Sequence, residues 1–217
     1  MYLSNTDILA AIKAGELIVK CGKGDQPIVC DTSIDLRLDS IETAKVWDTV
    51  KLAEHNRRHG HGPLEVKIAR FDYSAVASEF TMQPVPERED RHREAKVVRR
   101  DDAIIIRPSG FVLWQTKEIV GTPPVNAKHI CFVDGKSKRA RTGLVVHLTA
   151  PTIHGAWAGH ITLEMCNLGP LDLVLYENDV VAQIVVAKLS SPPDPKLNAA
   201  PSSTQGQTDV TGSRRPE

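Results

Sequence analysis

A mainly β fold, a sandwich or barrel with one short helix at its start, is what this sequence predicts. Two observations carry that expectation. From Ile104 onward the chain reads as short β-rich runs: IIIRPSGFVLWQT, HICFVDG, LVVHLTA, HITLEMCN, LDLVLYEN and VVAQIVVAKL. They are separated by PSG, GTPP, DGK, HGAWAG, LGP and END, turn segments at the regular spacing of an all-β domain. At the other end, LSNTDILAAIKAGELIV has helical spacing and TSIDLRL, a little further on, alternates at period two.

In chain order, the helix is expected to open at Ser4, with Asp7 three positions on completing a near capping box. Ile8, Leu9 and Ile12 form its apolar stripe, and Gly15 sits where a C′ glycine would end it. TSIDLRL follows as a strand. Residues 41–102 are less regular and outside the β pattern: HNRRHGHGP and PEREDRHRE are polar and of mixed charge, with VKIARFDY between them. An elaborated loop or insertion carrying one or two strands is expected there. His55, His59 and His61 have no carboxylate or thiol partner at zinc-like spacing, so a solvated loop is the simpler reading. Residues 1–190 then make one domain, and 191–217, rich in Pro, Ser, Thr and Gln, a flexible tail and possible lid over a site.

Lysine plus arginine and aspartate plus glutamate number 27 each, so no net field favours nucleic acid and any phosphate recognition must be local. No apolar run approaches the roughly 20 residues of a membrane span. The N-terminus lacks the basic and apolar regions of a signal peptide. The expectation is a soluble, cytoplasmic protein whose four scattered cysteines are reduced thiols.

Two segments could carry chemistry. In DGKSKRARTGLVVH, Gly135 permits close backbone approach, and the turn amides with Lys136 and Ser137 could form an anion-binding concavity. Arg141 adds a planar fork of donors. Composition alone fits a basic surface turn as well, and the segment is not a Walker A loop, which needs GxxxxGK(S/T). In HITLEMCN, Glu164 shares a strand face with Thr162 and Cys166, opposite Ile161, Leu163 and Met165. Alternation alone leaves it balanced between an exposed strand residue and a buried carboxylate suited to general-base work.

The order TSIDLRL, GKSKRAR, GLVVHLTA, TIHGAWAGHITLE and NDVVAQI resembles the dCTP deaminase branch of the dUTPase-like superfamily. The family pattern is close to an SIDLRL strand, G(R/K)SSLAR, GLxxHxTA, IDPGWxGxxTLE and PGxxIxQL. The resemblance runs through the N-terminal helix, the core from Arg107 to Leu189 and the tail QGQTDVTGSR. It implies a dUTPase-like distorted, jelly-roll-like β-barrel that forms a homotrimer with active sites shared between subunits. It implies hydrolytic deamination of dCTP to dUTP and ammonia, a precursor step for thymidylate synthesis, with Mg2+ carried on the triphosphate and no direct protein ligand for it. Zinc deaminases use HxE with PCxxC, a signature absent here, so no zinc is expected at the base.

Residue by residue, the resemblance makes Glu164 the catalytic glutamate that activates water and passes its proton to the leaving ammonia. Ser137 and Arg141 match residues that help position the water and the glutamate. Lys136 and Ser137, with Lys138, Arg139 and Ala140 in the same turn, match the triphosphate-binding segment. Thr162, Leu163 and Glu164 match the backbone edge that reads the pyrimidine, and Ala150 the alanine that approaches the base. Trp157 matches a loop tryptophan and Gln207 a tail glutamine that reaches the phosphates. The match departs in three places. His154 stands where the pattern has Asp, an acid that in related dUTPases assists attack on the α-phosphate. Lys138 and Arg139 replace a small hydroxyl and an apolar residue. Ser203 and Thr204 fall where a lysine and a tyrosine are usual. The rival readings are a dUTP diphosphatase or bifunctional deaminase–diphosphatase, and a non-catalytic nucleotide-binding or regulatory protein of the same fold.

Overall fold

The first helix, α1 (Asn5–Lys13), forms where its spacing predicts, but its cap and stripe differ in detail. Ser4 Oγ donates to Asp7 Oδ2 at 3.0 Å, so the two side chains bond each other and Ser4 makes no side-chain cap bond. Ile8 and Ala11 are buried and Ile12 half-buried, whereas Leu9 is 55% exposed. The buried stripe is therefore Ile8, Ala11 and Ile12, because positions three and four apart share a face and Leu9 is turned away from it. Gly15 ends the helix at φ +69°, and Glu16 N–H closes back to Ala11 O at 2.9 Å.

The computed structural model describes residues 1–68, 72–197 and 207–212. After α1 come β1 (Ile18–Lys20), β2 (Ile28–Val29), β3 (Ser33–Arg37) and β4 (Val46–Trp47). Next are α2 (Thr49–Arg58), α3 (Tyr73–Phe80), β5 (Thr81–Met82), β6 (Val85–Pro86) and β7 (Val97–Arg100). The β-rich half contains β8 (Ala103–Ile106), β9 (Phe111–Gly121), β10 (His129–Gly135), the single-turn α4 (Ser137–Ala140) and β11 (Leu144–Val145). It continues with β12 (Thr152–Ile153), β13 (Ala158–Asn167), β14 (Leu173–Tyr176) and β15 (Val180–Lys188). The fold is mainly β, as predicted.

The strands fall into open sheets ordered β1-β9-β13-β11, β12-β10-β15-β3-β2 and β14-β8-β7-β6, with a β4-β5 ribbon. No strand order closes on itself among the described residues, so the closed barrel implied by the resemblance is not what this pairing shows. Trp114 from β9, Leu163 and Met165 from β13, Ile184 from β15 and Ile34 and Leu36 from β3 are fully buried in one shared core. β13 lies between β9 and β11, with Glu164 opposite Leu113 and Cys166 opposite Val145. Its register shifts between His160 and Thr162, where β9 carries extra residues against it.

Residues 41–102 are more ordered than a loop with one or two strands. Their described residues hold two α-helices and strands β4 to β7. Asp48 Oδ1 accepts from Lys51 N at 2.9 Å and Asp72 Oδ1 from Ala75 N at 3.2 Å, so each helix has the side-chain cap its sequence offers. Polarity hid these helices: α2 is polar along most of its length and buries only Leu52 and Asn56. His55 and His59 sit on its surface with rings stacked at 4.4 Å, and His55 also meets Phe80 edge-on at 5.0 Å. The segment is tied to the core sheet by Lys45 and Leu113, which exchange backbone hydrogen bonds of 2.7 and 2.8 Å. Of the expected tail, residues 198–206 and 213–217, including Ser203 and Thr204, lie outside the described residues.

Candidate active site

Along β13 exposure alternates strictly, with Ile161, Leu163 and Met165 buried and Thr162, Glu164 and Cys166 half-buried. Period-two geometry thus delivers Glu164 to the face opposite the core, and the neighbouring elements cover that face in part. Burial raises the proton affinity of Glu164 above the usual carboxylate value, against the pull of the Leu148 amide and the nearby His147. The Leu148 N–H donates to Glu164 Oε2 at 3.4 Å. The same burial, with the Glu164 charge, raises the Cys166 thiol.

Glu164 opens into a cavity of about 400 Å³, within the range of small-molecule sites. Thr162 and His160 of β13, Leu113 of β9, Val133 of β10 and His154 and Trp157 of the loop before β13 line it, as do Ala150, Tyr73 and Gln207. Six expected site residues therefore meet in one place: Ala150, His154, Trp157, Thr162, Glu164 and Gln207. Leu163 has its side chain wholly in the core, so only its backbone belongs to the strand edge.

The loop is held by a close approach. Gly121, at φ +151°, ends β9 where a Cβ would lie 2.0 Å from Trp157 O. Only glycine fits there, and it lets Thr122 N–H reach Trp157 O at 2.8 Å. His160 Nδ1 lies 2.7 Å from Thr116 O, and a carbonyl only accepts, so Nδ1 carries a proton and donates it to that bond. Gln207 is 93% buried: its Nε2 donates to Thr162 Oγ1 at 2.5 Å, and its carbonyl accepts from His160 N at 3.4 Å. Gln207 thus touches the strand edge that the resemblance gave to the base.

The basic segment lies elsewhere on the chain. Lys136, Ser137, Lys138 and Arg139 line a second concavity with Leu144, Leu173 and Gln183. Ser137, Lys138, Arg139, Ala140 and Arg141 are all exposed on or beside α4. Lys136 Nζ is bound to Asp35 Oδ1 at 2.6 Å and to Gln183 Oε1 at 3.3 Å, and Arg139 reaches Asp179 at 3.9 Å. One chain therefore does not bring Ser137 and Arg141 into the Glu164 cavity. Among the described residues no three His, Cys, Asp or Glu side chains are grouped to hold a metal ion.

Sequence reasoning missed Tyr73 and His160 as lining residues, and His147 as a neighbour of Glu164. His160 and His147 stood in quoted motifs without a role. Tyr73 gave no local signal, since its place depends on a helix packed from far along the chain. Its hydroxyl donates to Val210 O. Burial, then the Glu164 and Asp209 charges, push the phenol up to about 12.

A mainly β scaffold holding a half-buried carboxylate against a small-molecule cavity, with a separate exposed basic turn, defines a class of protein that binds small polar ligands and can move protons on them. A family model described as dCTP deaminase-like matches residues 2–189. Proteins from Nocardioides sp. and Corynebacterium jeikeium, both called "dCTP deaminase, dUMP-forming", are each 32% identical to it over 99% of this chain. The alignments cover 95% and 96% of those proteins. The chain belongs to the dCTP deaminase-like family. The crystal structure of 2'-deoxycytidine 5'-triphosphate deaminase from Agrobacterium tumefaciens shares the fold with TM-score 0.53 at 13% identity. The match covers 85% of this chain and 47% of that one. The relatives' printed name gives dUMP as the product, where the sequence alone led to dUTP.

Proposed function

We propose that this protein is a hydrolase that deaminates dCTP, with Glu164 as the group that carries the proton. The observation that carries the reading is the half-buried Glu164 with raised proton affinity, at a cavity of nucleoside size. Water adds to C4 of the cytosine while Glu164 accepts its proton. Glu164 then returns that proton to N4, the C4–N4 bond breaks, and ammonia leaves. A carboxyl whose proton affinity is raised by burial is suited to both halves of this cycle. Thr162 to Glu164 form the edge beside the ring, and Ala150 and Trp157 bound it.

In this reading Lys136, Ser137, Lys138, Arg139 and the α4 turn take the triphosphate, whose oxygens hold the Mg2+ as part of the substrate. Ser137 and Arg141 act on the water and the glutamate of a neighbouring subunit. Their separation from the Glu164 cavity within one chain supports a shared site in a homotrimer with the family's barrel-like core. Cytoplasmic nucleotide pools are the matching setting.

A second reading adds a later step, cleavage of the dUTP product to dUMP and pyrophosphate, and the relatives' name favours it. His154, at the cavity where the family pattern has an acid, favours release of dUTP. Purified protein given Mg2+ and, in turn, dCTP, CTP, dCMP and dUTP separates the two, with ammonia and pyrophosphate followed independently. Ammonia from dCTP without pyrophosphate supports deamination alone, and pyrophosphate from dUTP establishes the second step. Glu164→Gln should lose ammonia release while keeping dCTP binding, and full turnover in that variant would remove Glu164 from the mechanism. Binding of dCTP by the wild type with no ammonia would instead mark a non-catalytic nucleotide-binding protein.

A further inference from the structure

Tyr73 is the first residue of α3, and its position is set by the fold of residues 41–102 rather than by the core sheets. Asp72 caps the helix, Ala77 and Phe80 anchor its other end in buried positions, and the β4–β5 ribbon closes the unit behind it. From there the Tyr73 ring lines the Glu164 cavity and its hydroxyl reaches Val210 O. The segment 207–212 is buried against the site at Gln207, Val210 and Thr211, whose exposures are 7%, 1% and 8%. It is fixed at one end by the bonds of Gln207 to His160 and Thr162, and at the other by Tyr73. The cavity keeps its volume of about 400 Å³ with this segment in place, so the segment forms a wall rather than a plug.

We propose that Tyr73 is a positioning residue that fastens residues 207–212 as a wall of the nucleotide pocket, making the 41–102 region part of the active site. A phenol whose proton is committed to a backbone carbonyl is not the proton donor to the substrate, so Tyr73 acts through the wall. A wall held at both ends presents Gln207 to the ligand already ordered, which favours binding more than the chemical step. The kinetic part of the idea rests on the deaminase reading above, whereas the structural part does not.

Tyr73→Phe removes the hydroxyl and keeps the ring. Backbone hydrogen exchange of the full-length protein should quicken about fivefold or more at 207–212 and stay unchanged in β13 and β15, on the scale of one lost hydrogen bond. KM for dCTP should rise about fivefold with kcat within about twofold. Combined with Gln207→Ala, which removes the side-chain bond to Thr162 at the other end, the two effects should be less than additive, because both act through one segment. Unchanged exchange at 207–212 in Tyr73→Phe overturns the proposal whatever the kinetics. Quickened exchange in a protein that releases no ammonia upholds the fastening and sinks the substrate reading alone. A full additive penalty in the double variant also overturns it.

Discussion

Ionised Glu164 is the costlier form in its folded setting, because burial strips water from the carboxylate faster than the Leu148 amide and His147 repay it. A carboxyl raised in the folded state contributes stability when protonated. That contribution is full below the unfolded value and is lost as pH rises through the raised folded value. Wild type should therefore match Glu164→Gln most closely in acid and fall behind it towards neutral pH. Chemical denaturation of both proteins across that window checks this, and a stability difference independent of pH would show that Glu164 does not titrate as its setting requires. The same shift sets activity. Attack needs the ionised form, so the acid limb of kcat/KM for dCTP deamination should lie above the usual carboxylate range. A limb at the ordinary value would assign it to another group.

Strand β13 separates stability from chemistry on its two faces. Leu163→Ala should cost about 2–5 kcal/mol, the usual penalty for hollowing a packed core, yet leave ammonia release per folded molecule close to wild type. Denaturation midpoints and rates normalised to folded protein measure the two independently, and a large fall in normalised rate would contradict this division. At the other end of the site, Gly143 at φ +93° follows α4 where a Cβ would lie 2.2 Å from Gly169 N. Gly143→Ala must move that turn, and should lower the melting temperature and raise KM for dCTP together, by shifting the basic segment. An unchanged melting temperature would show that the turn yields without strain. Elements of this kind were the legible part of the sequence. β3, β10, β13, β14 and β15 stand where the runs placed them, since alternation and turn residues are local signals. Glu164 was placed on its face by the same alternation, but its burial was not, because the groups beside it, the Leu148 amide and the Tyr73 ring among them, come from elsewhere in the chain. The helices of 41–102 escaped notice because α2 has hardly any apolar stripe and is held by caps and tertiary contacts. Leu9 was assigned inward where Ala11 goes, since helical spacing admits either residue beside Ile8 and Ile12 and only the packed partners decide between them.

At the scale of the whole molecule, one chain presents two separate concavities, one lined by Glu164 and one by the basic turn, which the proposed mechanism needs together. The Glu164 cavity has the carboxylate with no guanidinium or ammonium among its described lining residues. The α4 concavity has Lys136, Lys138 and Arg139 without the carboxylate. A triphosphate carries several negative charges and its base carries the leaving amine, so a single ligand needs both concavities. In the homotrimer proposed above, head-to-tail contact in a closed ring would give each subunit's Glu164 a neighbour's basic turn. Mixing variants tests this directly. Glu164→Gln and Arg141→Ala chains should each be nearly inactive alone. Unfolded together and refolded at equal ratio, they form some interfaces that pair an intact Glu164 with an intact Arg141. Random assortment places both intact groups at about one interface in four, so recovery should approach a quarter of wild-type ammonia release if subunits assort freely around a ring. A site wholly inside one chain predicts no recovery, because every chain in the mixture then lacks one of the two groups. Native mass spectrometry of the same mixture reports whether mixed rings have formed. Mixed rings without activity would place Arg141 and Glu164 in the same subunit's site.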